Sequence, residues 1–278
     1  MPFSDAPMGR QLALSEGMLA GLAVTNAPTL RWYIPRETAL VLGNGQQPTV
    51  VDYAACQKRG VTVYRRTSGG TAVLVDGNLL SLDLALPNTH PTLATSDVVR
   101  AYRWMGEAWI DALRRLVISD VRALPTGDVR AIPPLAADDP LRLACYGTLS
   151  PWEGVTNEVP PRKVVGLCQV RRRPGALYQV GVTLRLDASA LGELLALPDD
   201  TARSIFATRL SHAAAGLDEI GGRAYTATEM IAAFEATLIE ILGAHLISTD
   251  WLPAELDAAD TIQRERFQPL VGADTEER

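Results

Sequence analysis

Short β-rich runs follow one another in this chain too closely for crossover helices to join several of them. The runs TLRWY at 29–33 and ALVL at 39–42 are only a few residues apart, whereas a parallel crossover needs a dozen or more. A further run at 61–64 follows a segment, 50–58, that reads as a short helix, and glycine-rich turns punctuate the series. Sheets built from such pieces are mixed or mostly antiparallel. The predicted fold class is therefore α+β, with helices flanking the sheets.

Hydrophobic periodicity supplies the helices. Leu12, Leu14, Met18, Leu19 and Leu22 recur near helical spacing over 7–24, until Asn26-Ala-Pro28 breaks the pattern. Over 96–117, Val98, Tyr102, Met105, Trp109, Leu113 and Leu116 form a stripe that reads as core. Thr226 with Glu229 three residues later has the form of a capping box, and Met230, Phe234, Leu238, Ile241 and Leu242 predict a helix over 226–246. The proline- and aspartate-rich stretch 124–140 reads as a long loop, and strand-like runs resume at 141–145, 163–171 and 176–187. The expected organisation is one domain over 1–270 with a polar tail at 271–278.

With 47% hydrophobic residues, a chain of 278 residues can bury a large core. A net charge of −6 argues against a general nucleic-acid surface. The three cysteines, Cys56, Cys145 and Cys168, are odd in number and lack paired spacing, which argues against a disulfide framework or a zinc site. Residues 1–10 lack a cationic stretch followed by an apolar one, and no run approaches the roughly 20 apolar residues of a membrane span. The expectation is a cytoplasmic protein with no membrane or nucleic-acid partner and no bound metal.

The chemistry concentrates in YRRTSGGTAVLVDGNLLSLDLAL at 64–86, where one strand runs into Ser68-Gly69-Gly70 and a second resumes. Paired glycines let backbone amides approach a ligand, and Arg65 or Arg66 can fork onto an anionic oxygen. The same residues also suit a plain hairpin turn with exposed arginines.

RRTSGGTAV resembles the signature of the lipoate-protein ligase and octanoyltransferase family, also called the biotin/lipoate A/B protein ligase family. LRWYIPRETALVLGNGQ at 30–46 is similar to that family's first hairpin, and PRKVVGLCQVRRRPGALYQVGVTLRLD at 161–187 to its lysine strand and the strand after it. The resemblance implies a biotinyl/lipoyl-transferase-like fold. It also implies that Lys163 contacts the acyl carbonyl or an activated phosphate, with Arg65, Arg66, Ser68, Gly69, Gly70, Ala72, Gly166 and Gly181 binding substrate. An ammonium facing an apolar cleft can stabilise a developing oxyanion or favour a nearby thiolate. The family usually has histidines where Val75 and Val180 stand, and His90, His212 and His245 lie elsewhere. This counts against a mechanism that needs an imidazole at those two places.

ACYGTLSPWE at 144–153 resembles the cysteine-aromatic loop of one transferase branch, with Cys145, Tyr146, Ser150 and Trp152 in compatible places. That makes Cys145 the candidate nucleophile, because a thiolate attacks readily and its thioester stays reactive toward amines. Strand alternation puts Lys163, Val165, Leu167 and Gln169 on one face and Cys168 on the other, so Cys168 and Cys56 read as packing residues.

The resemblance thus implies transfer of an octanoyl or lipoyl group to a lysine of a lipoyl-type domain through a Cys145 thioester. The donor would be an acyl carrier protein or a lipoylated protein, docked by Arg65, Arg66 or the Arg171, Arg172, Arg173 run, and no cofactor is needed. An ATP- and Mg-dependent ligase working through an acyl-adenylate is the alternative, and SGGTAV followed by GNLLS resembles the ligase form. Few residues follow 187 compared with ligases that carry an additional C-terminal domain, which favours transfer. A non-catalytic binder of lipoylated or biotinylated proteins is the second alternative.

Overall fold

The computed structural model of the chain describes residues 1, 3–93, 97–243 and 245–272, so most of the tail expected at 271–278 lies outside the described residues. Nine strands are found among them: β1 (Thr29–Tyr33), β2 (Ala39–Leu42), β3 (Thr62–Arg65), β4 (Val73–Val75), β5 (Leu79–Pro87), β6 (Val121–Ala123), β7 (Gly154–Thr156), β8 (Lys163–Arg171) and β9 (Gly175–Thr183). They form a six-stranded antiparallel sheet in the order β1-β5-β9-β8-β7-β6 and a three-stranded sheet in the order β3-β2-β4. Only β2 and β3 run parallel. The short helix α2 (Tyr53–Lys58) lies on their connection and starts where Asp52 accepts a hydrogen bond from the Ala55 amide at 2.9 Å.

The segment 30–46, expected to be a hairpin, is not one: β1 joins the large sheet and β2 the small one. The short link carries the chain from one layer to the other, and a cavity lies between these layers. β5 lies inside the large sheet and is buried throughout. Its Leu80, Leu82, Leu84 and Leu86 face one side, while Ser81, Asp83 and Ala85 face the other.

On the leucine side pack α3 (Val98–Arg115) and α8 (Ala227–Leu242). Trp109 stacks on Phe234 with ring centroids 4.2 Å apart, and Trp32 meets both edge-on. The predicted capping box at Thr226 and Glu229 opens α8, and Gly243, at φ 59°, ends it earlier than the sequence suggested. On the opposite side lie α1 (Met8–Thr25), α9 (Pro253–Arg266) and the small sheet. Arg31 and Asp83, both fully buried, form an ion pair at 2.6 Å. Arg31 also donates to the Gln11 side chain, the Gln11 carbonyl and the Ser15 hydroxyl, which ties α1 to the sheet.

Two readings of the sequence need correction. The run 141–145 is not a strand: Pro140–Leu143 and Cys145–Gly147 are 3-10 turns, because Pro140 has no amide to pair and Asp139 caps Leu141 at 3.0 Å. The 124–140 loop contains a helix, α4 (Thr126–Ala131). Four helices not anticipated, α5 (Ala188–Leu194), α6 (Asp200–Ala213), α7 (Leu217–Gly221) and the α9 already described, follow β9. Among the described residues, no helix is long and apolar enough to cross a membrane.

Candidate active site

The Ser68-Gly69-Gly70 turn joins β3 to β4 and packs against the turn after β2. A Cβ on Gly43 would run into the Gly70 carbonyl, and Gly70 itself has φ 91°, so this contact of two turns requires glycine on both sides. Arg66 curls back over the turn, donating to the Gly69 carbonyl at 2.9 Å and the Thr71 carbonyl at 3.0 Å. Arg65 does not share this place. Strand alternation turns it away, its guanidinium reaches the Gln46 carbonyl, and it lines neither cavity described below.

Ala72 also lies outside both cavities and has a different task. Its amide donates to the Leu143 carbonyl at 3.0 Å, and its carbonyl accepts from the Cys145 amide at 2.8 Å. The glycine turn and the cysteine turn are thereby stitched together.

A β-bulge brings in Lys163. Gly154 faces Val165, but Val155 faces Lys163, so Val164 is an extra residue in β8. Val164 and Val165 both enter the aromatic side of the sheet, and Lys163 moves onto the face that also carries Gly166 and Cys168. Simple alternation put Cys168 on the far side from Lys163, and the bulge overturns that expectation. Gly166 and Gly181 are cross-strand partners, and their missing side chains make room for Tyr146 and Lys163. A Cβ on Gly181 would come within 3.3 Å of the Tyr146 hydroxyl, which donates to the Gly181 carbonyl at 2.7 Å.

The Lys163 ammonium is 2.9 Å from the Cys145 carbonyl, 4.0 Å from Cys145 Sγ and 2.6 Å from Glu153 Oε1. Both Lys163 and Glu153 are buried. Burial pulls the lysine pKa down, but the neighbouring Cys145 and Glu153 more than offset it, so the net shift is upward and the side chain is held charged. Burial pushes Glu153 above the ordinary carboxylate range, opposed by Lys163 and by the Ser150 and Leu167 amides. Sequence reasoning missed Glu153; the signal was an acid closing the cysteine segment, but its partner belongs to another strand.

Two cavities meet at Cys145. The inner one, about 90 Å³, lies between the sheets, lined by Gly166 and Gly181 on one side, Val73 and Val75 on the other, and Met8 and Leu12 of α1. Ser68 and Arg66 border it as well. Val75 and Val180, the two positions where the resemblance would place histidines, both line it, although the Val180 side chain packs into the core around Trp109. The outer cavity, about 360 Å³, is bordered by Gly69, Gly70, Arg66, Glu153, Lys163 and again Cys145. Cys168 also lines both cavities, but burial pushes its thiol up, with Ser68 and Arg66 opposing. Cys56 is buried away from the site, its pKa pushed up to about 11 by burial. Arg171 stands at the far end of β8 from Lys163, roughly 27 Å along the strand, so the arginine run is not brought to the site. Among the described residues, no group of three His, Cys, Asp or Glu could hold a metal.

A glycine turn over an interlayer cavity, with a cysteine bordering both the inner and the outer space and a lysine lining the outer one, is a geometry that can receive an acyl group. The chain belongs to the lipoyl protein ligase A/B catalytic domain family, whose model matches residues 7–239. The octanoyltransferase LipM of Kyrpidia tusciae is 31% identical over 248 residues, covering 89% of this chain and 85% of the relative. LipM of Carboxydothermus hydrogenoformans is 26% identical, covering 92% and 90%. Among solved structures, a bipartite lipoate protein ligase system from Thermoplasma acidophilum shares the fold with a TM-score of 0.75 at 19% identity, covering 96% of this chain and 91% of that one. Lipoate-protein ligase A bound with ATP superposes with a TM-score of 0.73, also at 19% identity, covering 96% and 94%.

Proposed function

We propose that this chain transfers an octanoyl group, or the related lipoyl group, from a carrier thioester to a lysine of a lipoyl-type domain through a thioester on Cys145. The observation that carries the reading is the position of Cys145: its sulfur lies 4.0 Å from a buried ammonium, where an apolar interlayer cavity opens into a larger outer one. The acyl chain enters the inner cavity, where each buried methylene contributes about 0.8 kcal/mol. Cys145 thiolate attacks the carbonyl carbon, the donor sulfur leaves and takes up a proton, and Lys163 stabilises the oxyanion in between. The acceptor amine then attacks the new thioester, the carbon–sulfur bond breaks, and an amine proton returns to Cys145.

The donor in this reading is an acyl carrier protein and the acceptor a lipoyl domain, in a reducing compartment such as the cytoplasm, where free thiols persist. No cofactor takes part. The ligase alternative needs cations free to receive a nucleotide's phosphates. Among the described residues lining the outer cavity, Arg66 is committed to backbone carbonyls and Lys163 to Glu153 and the Cys145 carbonyl. That engagement favours transfer.

Incubation with octanoyl-carrier protein should add one octanoyl mass, sensitive to hydroxylamine, on Cys145, and Cys145→Ser should abolish transfer. Full activity in that variant would reject the scheme. Pyrophosphate release with ATP and lipoate would reassign the chain as a ligase, and neither signal would leave a binder.

A further inference from the structure

Glu153 borders the outer cavity and has no task in the transfer chemistry just described. Its placement is nonetheless over-determined. Its Oε2 accepts from the Ser150 amide at 2.7 Å, and its Oε1 meets Lys163 Nζ at 2.6 Å and the Leu167 amide at 3.4 Å. Trp152, just before it, sits at φ 70°, a conformation that strains any residue with a side chain. That turn is clamped on both sides, Trp152 donating to the Leu124 carbonyl and the Leu124 amide to the Glu153 carbonyl, and Gly106 of α3 leaves the space that the Trp152 carbonyl fills. Backbone strain is thus spent at the point that delivers a carboxylate to Lys163.

The charges around Lys163 differ between the two halves of the reaction. During loading, negative charge starts on the Cys145 sulfur and passes to the carbonyl oxygen, so an anion accompanies the ammonium throughout. Once loaded, Cys145 is a neutral thioester. A buried ammonium facing only carbonyl dipoles loses its proton easily, and a neutral amine stabilises an oxyanion poorly. At that stage Glu153 is the anionic group hydrogen-bonded to Lys163.

We infer that Glu153 is a positioning residue for the second half-reaction: it keeps Lys163 charged and aimed while Cys145 carries the acyl group, so that discharge onto the amine depends on it more than loading does. The inference rests on the proposed Cys145 thioester. In discharge the acceptor's neutral amine bonds to the thioester carbon, the oxyanion forms against Lys163, the carbon–sulfur bond breaks, and the surplus amine proton passes to the departing sulfur. Glu153 neither gains nor loses a proton.

The test follows loading and discharge separately by intact mass, with octanoyl-carrier protein as donor and, after donor removal, a lipoyl domain as acceptor. Glu153→Gln should load within about threefold of wild type yet discharge roughly ten- to a hundredfold more slowly, less than the hundred- to thousandfold of losing an oxyanion donor outright because the lysine remains, so that acylated protein accumulates. Lys163→Gln should slow both steps. The double variant should discharge no more slowly than Lys163→Gln alone, since Glu153 acts through the lysine. Discharge at the wild-type rate, equal slowing of both steps, or additive losses in the double variant would each overturn the inference while leaving the thioester intact. If Glu153→Gln does not fold, Glu153→Asp, which keeps the charge but shortens the reach, decides the matter by whether its defect is confined to discharge. If wild type acquires no Cys145 adduct, the proposed function itself fails and this role with it.

Discussion

Replacing Gly181 by alanine asks whether the inner cavity measures the acyl chain. Gly166, Gly181, Ser81 and Tyr33 form one row across four neighbouring strands, three spacings of about 4.8 Å, or roughly 14 Å in all. An extended eight-carbon chain reaches roughly 8 Å, taking about 3.5 Å for every three backbone bonds. Starting beside Lys163 and Gly166, it passes Gly181 and ends short of Tyr33. A methyl on Gly181 would lie 3.3 Å from the Tyr146 hydroxyl and 3.4 Å from Leu79 Cδ1. These neighbours can give by a few tenths of an ångström, so the fold should survive at a cost of about 1–3 kcal/mol. The methyl takes the room of about one methylene, and each methylene excluded costs about 0.8 kcal/mol, near fourfold in kcat/KM. With six-, eight- and ten-carbon thioester donors, the variant should lose about fourfold on the eight-carbon donor and little on the six-carbon one. An equal loss at every length, or an unchanged profile, would refute the idea that this row of residues reads the chain.

Asp83→Ala strands the buried Arg31 guanidinium and should lower stability by about 3–5 kcal/mol; the measurement is a urea midpoint shift at unchanged slope, and a loss under about 1 kcal/mol would show that Arg31 finds other partners. The Cys56 thiol, with its folded pKa raised to about 11, contributes stability that is complete below the unfolded value near 9 and lost as pH rises toward 11. Cys56→Ala should therefore flatten the decline in stability between pH 9 and 11 by at most about 2–3 kcal/mol, and a decline identical to wild type in denaturant titrations would sink that assignment.

The sequence was most informative where a local pattern decides the outcome. The runs at 29–33, 39–42 and 163–171 are strands with those bounds, and the capping box at Thr226 opens its helix, because period and end signals lie within the segment itself. Cys145 and Lys163, both singled out from the sequence, lie 4.0 Å apart at their sulfur and nitrogen. What stayed hidden depends on partners far along the chain. Nothing near Lys163 announces that β7 will force an extra residue into its strand. Glu153 reads as an ordinary surface acid until its lysine is known. Arg65 and Arg66 cannot be told apart until the strand's facing is fixed, and the apolar run 141–145 looks like a strand unless the capping by Asp139 outweighs its hydrophobicity.

The extra valine in β8 makes the site sensitive to counting. Lys163 reaches the cavity face only because the bulge takes up Val164, since two residues between it and Gly166 would put the pair on opposite faces of a regular strand. Were the strand regular with Val164 kept, the ammonium would swing toward Trp109 and Phe234 and leave the sulfur unattended, whereas deleting Val164 would leave Lys163 two positions before Gly166 and on the same face. At this spot the direction of a charge is set by where the strand absorbs its extra residue rather than by that residue's kind, so valine there can be exchanged for another apolar side chain without turning the lysine.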